Sequence, residues 1–87
     1  MPRDQLITKM TESEFVKTLE SSWKAPFVAR RETWAFTGGC IAPRTVSNRE
    51  STGDKVPGRI TFGRQVAYPT KPYAIWLAER FFGKDEA

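Results

Sequence analysis

The sequence has no histidine and only one cysteine, Cys40, in 87 residues. Without histidine, a general base at neutral pH would have to be a perturbed carboxylate, lysine or thiolate, and no paired acidic residues sit in an apolar setting. A single cysteine excludes an intrachain disulfide framework, and no Cys/His cluster offers zinc-ligand spacing. Cys40 lacks a base that would make it a nucleophile, and reads instead as a small residue packed in a turn. Gly38-Gly39 lacks the strand, spacing and lysine of a phosphate loop. The expectation is a protein that is not an enzyme and holds no metal and no cofactor. No apolar run approaches the roughly 20 residues that span a bilayer, and the N-terminus lacks a basic segment followed by an apolar stretch. A soluble, reduced, cytoplasmic protein without a membrane partner is expected.

Anions are also scarce in one region. Residues 24 to 71 carry nine cations against three anions (Glu32, Glu50, Asp54), a local +6, while each flank is −1, giving the net +4 of the chain. A basic centre between mildly acidic ends suits a polyanion-binding surface, because each Lys or Arg set against phosphate releases condensed counterions. A solvated basic face is the other reading of charge alone.

What is present is aromatic: three Trp, six Phe and two Tyr. A chain of this length buries only about 60 to 65% of its unfolded surface, so one aromatic-rich core in one domain is expected over 11–87, behind a loose tail over 1–10. Thr11 and Glu14 form a T-x-x-E capping box, with Met10 and Phe15 placed as a hydrophobic staple. Phe15, Val16, Leu19 and Trp23 then recur at helical spacing. The spacing predicts a helix from Glu12 to Ser22, an N-terminal addition within 11–23. Ala25-Pro26 breaks the pattern, and Phe27-Val28 is expected to run extended. A helix follows from about Arg30 to Thr37, with Trp34 as its inward anchor and Arg30 and Arg31 facing outward.

Thr37-Gly38-Gly39 through Gly53 reads as helix end, tight turn and second short helix. Paired glycines suit the positive-φ stop, Pro43 suits the first helical position, and Gly53 supplies the left-handed end. The helix from Pro43 to about Thr52 holds only Val46 as a clear apolar residue, too few for a core element. It suits a helix lying in a groove, presenting Arg44, Thr45, Ser47, Asn48 and Arg49. From Arg59 the period switches from 3.6 to 2: Ile60 and Phe62 alternate with Arg59 and Thr61, then Val66 and Tyr68 share a face beyond Gly63-Arg64-Gln65. A two-stranded hairpin results, with Arg64 and Gln65 at its tip. The last helix is expected after Pro69, with Thr70 as cap and Tyr73, Trp76, Leu77 and Phe81 on one face. The fold class is α+β and mostly α, a winged helix-turn-helix with three to four short helices and one two-stranded wing.

Thr37-Gly38-Gly39, Ala42 to Asn48, Gly53, Phe62 to Pro69 and Trp76-Leu77 together resemble the winged helix-turn-helix of phage and prophage excisionases, within the MerR-type DNA-binding group. The resemblance covers 27–82 and departs from the pattern at two places: Arg49, where an apolar residue is expected, and the loop through Lys55-Val56, which is slightly long. It implies a recombination directionality factor that binds and bends attachment-site DNA, directs an integrase toward excision, self-associates cooperatively on DNA, and performs no chemistry itself.

The residue types match that surface. Arg44 suits guanine O6/N7 or a phosphate, and Asn48 suits adenine N6/N7 or an internal brace. Arg64 suits the neighbouring minor groove or its phosphates, with Gln65 as a second donor at the tip. Arg30 and Arg31 suit the backbone or a solvated surface, Arg49 either reaches phosphate or marks a helix rotated from the family's arrangement, and Arg59 completes the candidate DNA contacts. Double-stranded DNA is the expected partner. Three functions stay open: an excisionase-like factor, a small transcriptional regulator or terminase small-subunit-like module, and a protein-interaction adaptor that does not bind DNA.

Overall fold

The computed structural model describes residues 10–84; residues 1–9 of the expected tail and the end over 85–87 lie outside them. Four α-helices, α1 (Glu12–Ser22), α2 (Thr33–Phe36), α3 (Pro43–Ser51) and α4 (Thr70–Phe81), accompany strands β1 (Phe27–Ala29), β2 (Ile60–Phe62) and β3 (Gln65–Pro69). The fold is α+β. Among the described residues, no helix is long and apolar enough to cross a membrane.

Helix α1 begins where its sequence signals place it. The Thr11 hydroxyl accepts from the Glu14 amide at 3.1 Å, and the Glu14 carboxylate accepts from the Thr11 amide at 2.9 Å. Its inward stripe, with Leu19 buried, lies against α4, and Phe15 meets Phe82 with ring centroids 5.2 Å apart.

The expected hairpin is present as β2 and β3, but the sheet is larger than a two-stranded wing, because β1 joins it. It has three antiparallel strands in the order β1-β3-β2. Val28 pairs with Tyr68 and Ala29 with Ala67 on one side of β3, and Thr61 pairs with Val66 on the other. Phe27-Val28-Ala29 is too short to signal a strand by alternation; pairing with β3 selects its conformation.

A second correction follows from β1. The chain leaves it through a 3-10 turn, Arg30–Glu32, so α2 starts only at Thr33. Thr33, Phe36 and Thr37, at i, i+3 and i+4, then take the inward positions, and Trp34 is 54% exposed instead of serving as anchor. The Thr33 hydroxyl donates to the Arg30 carbonyl at 2.7 Å and lies 2.6 Å from the Tyr73 hydroxyl. Thr70 is likewise not a cap but the first residue of α4. Its hydroxyl donates to the Ala25 carbonyl at 2.8 Å, tying the helix start to the segment before β1.

The core is an aromatic stack centred on Tyr73. Its ring lies 4.4 Å from Tyr68, 5.7 Å from Phe36 and 6.3 Å from Trp76, and Val28, Val46, Val56 and Leu77 close around it. Gly58 holds the loop before β2 against this body: its φ is +80°, and a Cβ there would lie 2.7 Å from Pro69 Cγ. A larger residue would be strained by both backbone and space.

Candidate nucleic-acid interface

Helix α3 is fixed from behind. Pro43 occupies its first turn after an extended Ala42, and Gly53, with φ 101°, follows its C-cap Thr52. Val46 and Glu50, four residues apart and hence on one face, are 0% and 2% exposed. The inward partner four residues from Val46 is therefore a carboxylate rather than an apolar side chain.

Glu50 is satisfied by groups from three directions. Its Oε1 accepts from Arg30 Nη2 at 2.7 Å and from the Tyr68 hydroxyl at 2.8 Å, and its Oε2 accepts from the Val56 amide at 3.2 Å. Arg59 Nε lies 3.5 Å from the same carboxylate, and Arg30 Nε donates to Tyr68 Oη at 3.0 Å. Burial alone would push the Glu50 carboxyl up. The Tyr68 hydroxyl, the Val56 amide and Arg30 outweigh it, and the net displacement is downward from the ordinary value. Tyr68 is pushed up to about 12 by burial and by its bond to Glu50, against the lowering pull of Arg30. A charge buried this deeply persists only when paired and hydrogen-bonded.

Asp54, just past the helix, makes a second clamp. Its carboxylate accepts from Arg80 Nε at 2.8 Å and Nη2 at 2.7 Å, the two-pronged geometry favoured by Arg. The Asp54 carboxyl is held below its usual range, chiefly by that pair. Arg49 Nη1 lies 3.6 Å from Asp54, and its guanidinium sits over the Phe81 ring, 5.3 Å from the centroid. Arg49 thus lays its guanidinium against an aromatic ring beside the Asp54 carboxylate.

The ten residues picked out in the sequence divide accordingly. Arg44, Thr45 and Asn48 are exposed on the outer face of α3, with Ser51 continuing the stripe, and Ser47 is half-buried beside it. Arg31 is exposed before α2, and Arg64 and Gln65 are exposed at the hairpin tip. Arg31, Arg44 and Arg64 make no ion pair among the described residues, and Asn48 makes no side-chain hydrogen bond there, so its side chain is not an internal brace. Arg30 is corrected: it turns inward to Glu50 and Tyr68. Arg59 also leans on Glu50, and Arg49 on Asp54 and Phe81. Cys40 is exposed rather than packed, its neighbour Ile41 taking the inward position.

The acidic residues were the missed element. Val46 as the lone apolar residue implied that position 50 also faces inward, and a carboxylate there requires buried cations. Among the described residues, no group of three or more His, Cys, Asp or Glu is placed to hold a metal ion. No protein-family model, no curated protein and no solved structure matches the chain.

Proposed function

We propose that the chain is a winged helix-turn-helix protein that binds specific duplex DNA sites, with α3 as recognition helix and the β2–β3 hairpin as wing, and that it acts as an excisionase-like directionality factor. The reading is carried by one observation: α3 exposes Arg44, Thr45, Asn48 and Ser51 as a polar stripe while Val46 and Glu50 anchor its opposite face. The major groove admits one such helix, and its base edges are distinguishable there. Arg44 and Asn48 are assigned to bases, Thr45 and Ser47 to their surroundings, and Arg31, Arg64 and Gln65 to backbone and minor groove. Arg30, Arg49 and Arg59 position the helix.

Selection of bound sequences from a random duplex pool tests the reading. An enriched motif that weakens with Arg44→Ala supports it; a pool that stays unenriched contradicts it. Excision of attachment DNA by an integrase, with and without the protein, then separates a directionality factor from a transcriptional regulator using the same surface.

A further inference from the structure

Phe62 is 66% exposed, more than any other large apolar side chain among the described residues. It ends β2 and pairs with Gln65 across the two-residue turn Gly63-Arg64. Gly63 has φ 58° and, among the described residues, no non-glycine residue has a positive φ, so Arg64 does not share it; this makes the turn type II′ and keeps the two strands in register to the tip. Directly opposed residues share a sheet face, so the ring stands beside the Gln65 amide on the face opposite buried Tyr68, with the exposed Arg64 guanidinium at the turn.

We infer that Phe62 is a wedge that enters a base step of duplex DNA from the minor groove, unstacks it partially and kinks the axis; this rests on the DNA-binding reading above. Apolar side chains inserted in this way bend duplexes by about 20–90° toward the major groove. The minor-groove floor offers acceptors at every base pair, and the exposed Arg64 and Gln65 supply donors at the same hairpin tip as the ring. Gln65 directly across the strand and Arg64 at the turn flank Phe62 with polar groups, while Ile60 and Ala67 follow it on the same face toward the body; a single ring at a polar tip suits an opened base step better than a broad apolar protein surface. A pyrimidine–purine step is the expected position, because such steps unstack most easily.

The test uses the full chain and a duplex selected by it from a random pool, with 2-aminopurine placed in turn at each pyrimidine–purine step. The wild-type complex is expected to brighten at one step by several-fold, and Phe62→Leu to keep that signal. Phe62→Ser is expected to lose it while keeping an unchanged thermal melt and affinity within about tenfold of wild type. A wild-type complex that forms without brightening, or brightening that persists in Phe62→Ser, overturns the wedge and leaves the DNA reading standing. Failure of the wild type to select any duplex overturns both.

Discussion

Arg30 Nη2 lies 2.7 Å from Glu50 Oε1, joining the turn before α2 to the inner face of α3. Removing the carboxylate would leave a guanidinium, a buried tyrosine hydroxyl and an amide without their shared acceptor. Breaking one side of a buried pair typically costs about 3–5 kcal/mol; because Arg30 is 25% exposed and can recover water, the lower end is expected for Glu50→Ala. Urea unfolding measures it, and a loss below about 1 kcal/mol would show that the cluster does not hold the helix.

The same cluster sets a pH dependence with opposite limbs. Glu50 titrates below its ordinary value of 4.5 in the folded chain, so its contribution is present above the unfolded value and lost as pH falls through the lower folded one. Tyr68 is raised from 10.0 to about 12, so its contribution is present below pH 10.0 and lost as pH rises toward 12. Tyr73, also raised by burial, adds to that alkaline limb. Glu50→Gln is expected to flatten the acid limb and Tyr68→Phe to flatten part of the alkaline one in urea midpoints taken across pH. An acid limb unchanged by Glu50→Gln assigns it to other carboxylates.

Trp34 and Trp76 should separate cleanly. Trp34 is 54% exposed and Trp76 2%, so Trp34→Ala should change stability by less than about 1 kcal/mol, whereas Trp76→Ala should cost about 3–5 kcal/mol. Acrylamide quenching of single-tryptophan variants gives a second readout, with Trp34 strongly quenched and Trp76 protected. Equal quenching would mean that α2 is rotated from the arrangement described here.

Elements whose signals are local were legible in the sequence. The capping box fixed the start of α1, and Pro43 and Gly53 bracketed α3, because each acts within a turn of its own residue. Strand β1 was not legible as a sheet member, since its three residues depend on β3, about forty positions away. That distant pairing also moved the start of α2 and turned Trp34 outward. At the candidate interface, exposure of Arg44, Thr45 and Asn48 followed from the polar face of α3. The inward turn of Arg30 did not, because it depends on the burial of Glu50, a residue twenty positions away that carries no local signal of being inside.

Reading residues and backbone residues should behave differently. Arg44→Ala and Asn48→Ala are expected to lose about 1–3 kcal/mol of discrimination against altered sites, while Arg64→Ala weakens binding to all duplexes alike. Affinities for the selected duplex and for single-base variants measure both. The same loss of discrimination from all three substitutions would place the reading surface elsewhere.

Whether α3 and the hairpin meet a duplex is read from DNA affinity as a function of salt. Neutralising about five phosphates gives log affinity a slope of about −4.5 against log salt, and Arg44→Ala should reduce its magnitude by about one if Arg44 meets phosphate, or leave it unchanged while erasing sequence preference if it reads a base. A weak affinity that is flat with salt and insensitive to Arg44→Ala and Arg64→Ala would mean that this surface does not bind DNA.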